Sequence, residues 1–367
     1  MELDLPEPLR TLFQQAVLAQ MSGDAPAADA LFAQFTAQAL IPRALAERHN
    51  LGVLLRALGR LDEALALLTA DLAANPTSAE ARYELGATLL ALGDYAAGWP
   101  LYEARRDIPT FRIRVPALPF PEWCGEDLAG KRIVLFPEQG LGDNIQFARF
   151  ALTLRDQGAQ VVMLCRPALA SLLHHSLDGV DVQAAEGEIE MGEPDFWALT
   201  CSPPLHLGVT LETIPNQPYL RAPNAAPRGR GGPLRIGLVT KGAPVHQNDA
   251  HRSLNAANAA RLRALPGEIV SLHPEDSGAR DFAATAGMVA GLDLVVTVDT
   301  SVAHLAGAMG TPVFILLPGF QTDWRWLRRR SDSPWYPSAR LFRGAVNDDW
   351  SAALADLEAA VAAMAAS

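Results

Sequence analysis

GLDLVVTVDTSVAHLAGAMGTPVFILL, residues 291–317, is the stretch that decides the fold. The apolar, β-branched segment Leu294–Val298 predicts a buried strand. The small-residue segment Val302–Met309 predicts a helix with His304 in its first turn, and Val313–Leu317 predicts a second buried strand. Such a strand–loop–helix–strand unit is typical of parallel α/β sheets, which bind ligands at the carboxyl ends of their strands.

The loop that begins this helix combines groups that suit a phosphate. Asp299, Thr300 and Ser301 precede the helix, whose free N–H groups and positive dipole end attract anions. Thr300 and His304 are four residues apart and therefore share one helix face. If that face meets a cleft, the hydroxyl and the imidazole address the same phosphate or sugar oxygen. The alternative is a histidine that satisfies a backbone carbonyl, and the sequence leaves both open.

The composition limits the classes to which this chain can belong. Its 367 residues suggest two or three domains, 49% of them are apolar, and a net charge of −11 argues against a broad nucleic-acid-binding surface. The three cysteines have no metal-ligand spacing and suit a reducing compartment. The N-terminus lacks a signal-peptide pattern, and no apolar run reaches the ~18 residues that span a bilayer. We therefore expect a soluble, cytoplasmic protein with no membrane span and no nucleic-acid partner.

Residues 1–106 repeat with a helical period. Four pairs of like residues are 34 positions apart: Gly52 and Gly86, Gly59 and Gly93, Leu51 and Leu85, and Pro42 and Pro76. This spacing matches the tetratricopeptide repeat, in which two helices form each unit. We predict two regular repeats after a degenerate first copy, with small glycines that let paired helices approach closely. Such an array offers a concave surface for a protein partner.

The rest of the chain predicts two α/β domains. A proline-rich connector covers 107–130, the first domain 131–225, the second 234–345, and a closing helix 346–367; the Pro/Gly-rich stretch 222–233 is a linker. In the first domain we predict strands at Arg132–Phe136, Val161–Cys165 and Val180–Val182 and helices at Asn144–Gln157 and Ala168–Leu173. The second adds strands at Arg235–Val239 and Ile269–Leu272 and a helix near Phe282–Ala290. Residues 183–220 show no period, so we assign no elements there.

The segment Glu138–Asp143, EQGLGD, follows a predicted strand and opens a predicted helix. Gly140 and Gly142 permit a tight turn and a close approach of the backbone to a ligand. Asp143 has two interpretations: a helix N-cap, or a carboxylate that accepts a proton from an acceptor hydroxyl. One aspartate can do both. The Walker A loop and the dinucleotide fingerprint are both absent, because neither Lys-Ser/Thr nor GxGxxG is found here.

A second polar group follows the predicted strand Arg235–Val239. Thr240 and Lys241 come directly after it, and Lys241 is either a neutraliser of a departing diphosphate or a solvated loop lysine. Arg252 lies downstream and suits bidentate contact with a phosphate. Three potential metal ligands are close in sequence: His246, Asp249 and His251. Their spacing matches no usual zinc pattern, so we predict no metal site.

Tryptophans are concentrated in two nearby segments, DWRWL (323–327) and SPWYP (333–337). The three indole rings, at Trp324, Trp326 and Trp335, could stack on a base or a sugar ring. They could equally pack inside the closing segment of the chain, and the sequence leaves both interpretations open.

Seven segments are together characteristic of one group of proteins: GWPLYEAR (98–105), FPEW (120–123), EQGLGDNIQFAR (138–149), VDTSVAHLAGAMG (298–310), DWRWL (323–327), SPWYP (333–337) and LFR (341–343). They resemble bacterial tetratricopeptide-repeat proteins with a C-terminal glycosyltransferase domain of the GT-B type. The domain is heptosyltransferase-like (similar to family 9), and relatives of this layout include flagellin glycosyltransferases. The resemblance covers nearly the whole chain.

The resemblance implies a fold and a set of roles. The fold is helical repeats followed by a GT-B fold of two Rossmann-like α/β domains. The first would hold the acceptor and the second the nucleotide-sugar, with no metal or cofactor required. In heptosyltransferases the Gly-Asp turn supplies the base, which matches Asp143. Their Asp-Thr/Ser…His motif holds the donor phosphates and matches Asp299, Thr300, Ser301 and His304; a lysine of similar role matches Lys241.

We therefore expect an inverting, metal-independent transferase that moves a sugar from a nucleotide-sugar to a Ser/Thr hydroxyl of a flagellin-like protein. Asp143 is the predicted catalytic base. The predicted nucleotide-sugar ligands are Gly140, Gly142, Thr240, Lys241, Arg252, Asp299, Thr300, Ser301 and His304. The first alternative is a lipopolysaccharide or glycan transferase whose repeats serve homo-oligomerisation. The second is an inactive binding scaffold, since 240–243 read Thr-Lys-Gly-Ala where relatives carry Trp-Ala-Gly-Asn.

Overall fold

The structure is a computed structural model that describes residues 5–39, 45–187, 189, 191–223, 232–244, 246 and 248–366. Pro42 and most of the predicted linker, 224–231, lie outside the described residues. The chain divides into two compact units. The helical unit comprises Met1–Arg112, Pro318–Arg330 and Arg343–Ser351. The α/β unit comprises Ile113–Leu317, Ser331–Phe342 and Ala352–Ser367.

The helical unit contains six α-helices among its described residues, arranged as three successive pairs. They are α1 (Glu7–Met21), α2 (Ala25–Ala39), α3 (Leu45–Ala57), α4 (Leu61–Ala74), α5 (Ala79–Leu92) and α6 (Tyr95–Tyr102). The turns between the members of each pair contain Gly23, Gly59 and Gly93, all at positive φ, which glycine adopts without strain. The predicted helical repeats, including the degenerate first copy, are therefore confirmed.

Two other glycines let the paired helices pack closely, as the sequence predicted. A Cβ atom added at Gly52 would lie 2.7 Å from Leu68, and one added at Gly86 would lie 2.7 Å from the backbone nitrogen of Tyr102. A later segment completes this unit with a short 3₁₀ helix, Trp324–Trp326. Trp324 is 4% exposed, and its ring lies within 5.4 Å of that of Trp99.

The first lobe of the α/β unit is built on a parallel sheet in the order β3-β2-β1-β4. Its elements are β1 (Arg132–Phe136), α7 (Leu141–Phe147), α8 (Arg149–Asp156), β2 (Gln160–Cys165), α9 (Pro167–Ser176), β3 (Asp181–Ala184), β4 (Phe196–Leu199) and α10 (Pro203–His206). From Ile133 to Phe136 the internal strand β1 is entirely apolar, as is typical of a parallel sheet whose two faces are covered by helices.

The second lobe contains a sheet in the order β6-β5-β7-β8-β9, in which β6, β5, β7 and β8 run parallel. Its strands are β5 (Arg235–Val239), β6 (Glu268–Ser271), β7 (Leu294–Val298), β8 (Val313–Leu317) and β9 (Ala339–Arg343). Its helices are α11 (Asp249–Arg252), α12 (Ala256–Arg263), α13 (Pro274–Ser277), α14 (Phe282–Val289), α15 (Ser301–Ala308) and α16 (Ser351–Ala365). The opening stretch 291–317 forms β7, α15 and β8, with every strand residue buried.

The predicted fold class, helical repeats followed by two parallel α/β sheets, is confirmed. The helix predicted at Asn144–Gln157 is wrong in detail: it begins earlier, at Leu141, and is divided at Ala148 into α7 and α8. Six of the labelled strands and helices were not predicted, namely β4, α10, α11, α12, α13 and β9. The domain boundaries of the sequence analysis stay predictions. Within the described residues, no helix is both long and apolar enough to cross a membrane.

Candidate functional site

The turn between β1 and α7 is shaped by Asp143. Its Oδ2 accepts a hydrogen bond from the backbone N–H of Gly140 at 2.8 Å. Gly140 is the N-cap of α7, so Asp143 occupies the third helical position, and the predicted N-cap assignment of Asp143 is wrong by three residues. Its carboxylate nevertheless stabilises the start of the helix. Gln139 precedes the turn at φ 57°, a strained conformation that in proteins is concentrated at functional sites.

The N-terminal turns of α7 and α15 meet across the two lobes. A Cβ atom added at Gly142 would lie 2.8 Å from Cδ2 and 3.4 Å from Nε2 of His304, and 3.6 Å from Cα of Ser301. His304 is only 7% exposed. The two predicted motifs, which are about 160 residues apart in sequence, therefore come into contact because Gly142 has no side chain.

The start of α15 is an N-terminus with its own cap. Thr300 is the N-cap, and its Oγ1 accepts a hydrogen bond from the N–H of Val302 at 3.3 Å. That hydroxyl also lies 3.2 Å from Oγ1 of Thr297 on β7. Asp299 and Ser301 flank it at intermediate exposure. Thr300 thus shapes the helix end that would present amides to an anion.

Arg252 joins the loop after β5 to the loop after β7. Its Nη1 donates to the carbonyl oxygen of Asp299 at 2.9 Å, and its Nε donates to Oδ1 of Asp249 at 3.1 Å. Gly242 lies directly beside this pair, and any side chain there would collide with Asp249 and Arg252. The predicted ligands Arg252 and Asp299 are therefore brought together at the carboxyl ends of neighbouring strands.

Thr240 and Lys241 differ in their surroundings. Thr240 is 5% exposed, and its N–H donates to Nε2 of His273 at 3.1 Å. Burial lowers the pKa of His273, which keeps that nitrogen an acceptor. Lys241 is well exposed, and its Nζ pairs with Oε1 of Glu275 at 2.7 Å, which raises the pKa of the lysine.

One of the three potential metal ligands has another partner in the structure. Oδ1 of Asp249 is occupied by Arg252. Across the described ranges, no group of three or more His, Cys, Asp or Glu side chains is arranged to hold a metal ion. The tryptophans also separate: Trp326 is buried in the helical unit, and Trp335 is buried in the α/β unit, 6.0 Å from the ring of Phe147. The packing interpretation of these rings is the one that the structure supports.

Two residues beside the site were not predicted as functional. Tyr336 is 1% exposed, and its hydroxyl lies 2.9 Å from Nδ1 of His304. Arg149 is 2% exposed and donates through Nη1 to the carbonyl oxygens of Trp335 at 3.0 Å and Pro215 at 3.1 Å. Tyr336 lies in the segment SPWYP (333–337) and Arg149 in the segment EQGLGDNIQFAR (138–149), both of which carry the family resemblance. No spacing pattern in the sequence connects either residue with His304.

A cavity of about 440 Å³ lies elsewhere on the α/β unit. Its walls include Trp123, Glu126, Asp127 and His206, and no predicted site residue lines it. Because the strand ends and helix N-termini converge at Gly142 and His304 instead, we place the candidate site there.

Comparisons with known proteins agree in part with the resemblance seen in the sequence. No family model matches the chain. Protein FlbA of Caulobacter vibrioides is 26% identical over 351 residues, which cover 80% of this chain and 57% of that protein. The chain thus spans little more than half the length of this curated relative.

Among solved structures, the iron-containing dodecameric glycosyltransferase TibC from enterotoxigenic E. coli is similar with a TM-score of 0.39 and 15% identity, over 54% of this chain and 63% of TibC. TibC has also been solved as a heptosyltransferase with ADP-D-β-D-heptose. The O-GlcNAc transferase of Thermobaculum terrenum is similar with a TM-score of 0.24 and 15% identity, over 96% of this chain and 92% of that one. Both of these solved proteins are described as glycosyltransferases.

Proposed function

We propose that the protein is an inverting, metal-independent glycosyltransferase that moves a sugar from a nucleotide-sugar to a Ser/Thr hydroxyl of a flagellin-like protein. The observation that carries the proposal is the contact of the α7 and α15 N-terminal turns at Gly142 and His304. The N-terminus of α15, at the carboxyl end of the parallel strand β7, suits a ligand with a diphosphate. Asp143, in one of these turns, is the carboxylate nearest to that contact in sequence.

The residues of the second lobe suit the departing nucleotide. Backbone N–H groups at the start of α15 would hold the phosphates, and Arg252 fixes the Asp299 loop that leads into this helix. Lys241, at the end of β5, adds positive charge near the same edge of the sheet. Groups that are held in place before the reaction stabilise developing charge without reorganising, which is the most effective form of electrostatic catalysis.

The first lobe supplies the predicted base. The Asp143 carboxylate would accept the proton of the acceptor hydroxyl as that oxygen attacks the anomeric carbon, and the nucleoside diphosphate leaves from the opposite face with inversion. The hydrogen bond from Gly140 orients the carboxylate before the substrate arrives. The helical repeats would bind the protein acceptor, and a cytoplasmic location remains part of the prediction.

The first test is nucleotide binding. UDP, GDP, CDP and ADP, with the corresponding nucleotide-sugars, are added to the full chain during thermal unfolding. A ligand at about a hundredfold its Kd should stabilise the folded state by roughly 2.7 kcal/mol. If none of these ligands raises the Tm, the proposed donor site is wrong.

The second test is transfer to a protein. A flagellin-like acceptor is incubated with the nucleotide-sugar that binds, and its intact mass is measured. Asp143→Asn keeps an oxygen for the Gly140 hydrogen bond but removes the base, so transfer should fall by roughly 10²–10⁴-fold with little change in Tm. Asp281→Asn is the control, because it removes the same charge from another helix start: Asp281 is the N-cap of α14 and accepts a hydrogen bond from the N–H of Ala284. Equal activity of the two variants would exclude Asp143 as the base. Transfer to a lipopolysaccharide and not to the protein would show that the acceptor is a glycan, and the proposed protein acceptor would be wrong.

A further inference from the structure

The imidazole of His304 is held by a buried hydroxyl. Tyr336 Oη lies 2.9 Å from His304 Nδ1, and both side chains are less than 10% exposed. The Tyr336 ring packs so closely on α15 that any side chain at Gly307 would collide with it. His304 therefore cannot rotate its ring without breaking this contact, and the opposite edge of the ring, Cδ2 and Nε2, faces Gly142.

The hydrogen bonds beyond Tyr336 have a fixed direction. Tyr219 Oη donates to the carbonyl oxygen of Ile145 at 2.6 Å, since a carbonyl can only accept. Burial raises the pKa of the Tyr219 hydroxyl, so this proton stays in place. A hydrogen bond with Tyr336 acts against this rise in the pKa of Tyr219, as a bond donated to the Tyr219 oxygen does; since the Tyr219 proton is used, Tyr336 is the donor and Tyr219 the acceptor.

The guanidinium of Arg149 reinforces that direction. Its Nη2 lies 3.5 Å from Tyr219 Oη, to which it can only donate, and its Cζ lies 4.9 Å from the centre of each of the Tyr219 and Tyr336 rings. A cation at the Tyr219 hydroxyl favours the arrangement in which the Tyr219 oxygen accepts and its own proton points away from the guanidinium. The single proton of Tyr336 is then given to Tyr219, and its oxygen can only accept from His304.

We infer that Tyr336 is a positioning residue that fixes neutral His304 as the Nδ1–H tautomer, so that the lone pair of the ring is on Nε2, the nitrogen on the Gly142 side. The proton order is His304 Nδ1–H to Tyr336, Tyr336 to Tyr219, and Tyr219 to the Ile145 carbonyl. This series of hydrogen bonds starts at His304 on the second lobe, passes through Tyr336 and Tyr219, and ends at Ile145 on α7 of the first lobe.

The tautomer changes the role of the histidine in the proposed function, on which this step rests. An Nε2 lone pair accepts a hydrogen bond from a substrate hydroxyl, from either the donor sugar or the acceptor, and it repels a phosphate oxygen. The phosphates are then left to the N–H groups of α15. A neutral histidine with Nε2–H would instead donate a hydrogen bond to the diphosphate, which is the role that the resemblance to heptosyltransferases implies.

The tautomer can be measured without any substrate. The full chain is labelled with ¹⁵N-histidine, and long-range ¹H–¹⁵N correlation at about pH 8 distinguishes Nδ1–H from Nε2–H in neutral imidazoles. The chain has eight histidines, and His304→Gln assigns the relevant signals by their loss. The expected form for His304 is Nδ1–H. Detection of Nε2–H in the unmodified protein overturns the inference, whether or not the protein proves to be a transferase.

Two conservative variants test the chain of hydroxyl groups. Tyr336→Phe removes the acceptor of Nδ1–H, and Tyr219→Phe frees the Tyr336 proton to point at Nδ1; both should shift His304 toward Nε2–H. Tyr83→Phe, in the helical unit, is the control for loss of a tyrosine hydroxyl and should leave the signal unchanged. If Tyr219→Phe leaves the tautomer as it is, the proposed direction is wrong, and this holds even if Tyr336→Phe does not fold.

Binding measurements distinguish the two sources of the hydroxyl. If the donor sugar supplies it, Tyr336→Phe weakens the nucleotide-sugar about tenfold while the nucleoside diphosphate from the UDP, GDP, CDP and ADP panel binds as before. If the acceptor supplies it, neither Kd changes and kcat falls about tenfold. Equal weakening of nucleotide-sugar and nucleoside diphosphate would show that His304 contacts phosphate, which overturns the hydroxyl-acceptor role.

Discussion

The contact between Gly142 and His304 leads to a sharp prediction for Gly142→Ala. The added methyl carbon would lie 2.8 Å from Cδ2 of His304, whereas carbon atoms pack favourably at about 3.5–4.0 Å. Either the His304 ring or the α7 turn must therefore move by about 0.7 Å or more. The ring is held at Nδ1 by Tyr336 and is 7% exposed, so it cannot yield easily, and the α7 turn has to shift instead.

The magnitude follows from two opposing effects. Overpacking of a close contact costs about 1–3 kcal/mol, and alanine is a better helix former than glycine by up to about 1 kcal/mol. The net loss of stability should be about 0–2 kcal/mol, which lowers the Tm by a few degrees at most. Displacement of the turn that carries Asp143 should lower kcat/KM much more, by about 10²-fold.

The assay compares Gly142→Ala with Gly287→Ala in thermal unfolding and in sugar transfer, or in nucleotide-sugar binding. Gly287 lies in α14, and a Cβ atom there would meet nothing within 4 Å. The control should therefore be fully active and stabilised by up to about 1 kcal/mol. If Gly142→Ala keeps the kcat/KM and the Kd of the unmodified protein, the contact does not define the site, and our placement of the function there is refuted.

Three further predictions concern other parts of the chain. Lys241→Ala should weaken nucleotide-sugar binding about tenfold with an unchanged Tm. Lys131→Ala, which removes the other lysine of the sequence, should leave nucleotide-sugar binding unchanged. Equal Kd values for the two variants would exclude a charge role for Lys241. Burial lowers the pKa of His273, so below about pH 6.5 the unfolded chain binds more protons than the folded one. The stability that this residue contributes is therefore complete above that pH and is lost as the pH falls through the folded-state pKa. His273→Gln should make the Tm fall less steeply as the pH is lowered. If the Tm of the variant falls as steeply as that of the unmodified protein, this reasoning is wrong. Trp324→Ala should destabilise the helical unit by about 3–5 kcal/mol in denaturant unfolding, because its ring is buried among three other aromatic rings; a loss under about 1 kcal/mol would contradict that packing.

Sequence reasoning succeeded where a segment's own pattern decides its structure. The apolar run Leu294–Val298 is too long and too β-branched for a surface loop, and the structure buries all of it. It failed where the pattern is short or interrupted. The strand Phe196–Leu199 has four residues within a Pro/Gly-rich stretch, which is too few to show a period, and it forms because it pairs with Arg132–Phe136.

The turn at Asp143 shows a different limit. A helix N-cap is one of the two interpretations that the sequence permits for Asp143, yet its carboxylate reaches back three residues to the N–H of Gly140. An N-cap carboxylate accepts from an N–H that follows it, and a carboxylate at the third helical position accepts from one that precedes it; both stabilise a helix start, so local sequence does not distinguish them. The choice depends on where the preceding strand delivers the chain, which is decided by packing of the sheet.

By itself, the sequence determined the helical repeats, the two parallel α/β sheets and the loops that bear polar groups, because periodicity and turn residues act over a few positions. Only the tertiary structure decided that Gly142 lies against His304, that Arg252 binds the Asp299 loop, and that Tyr336 holds the histidine. These partners are separated by roughly 30 to 160 residues in sequence. No local pattern predicts contacts between residues so far apart in sequence. They depend on how the two lobes of the α/β unit pack together and on the missing side chain of Gly142.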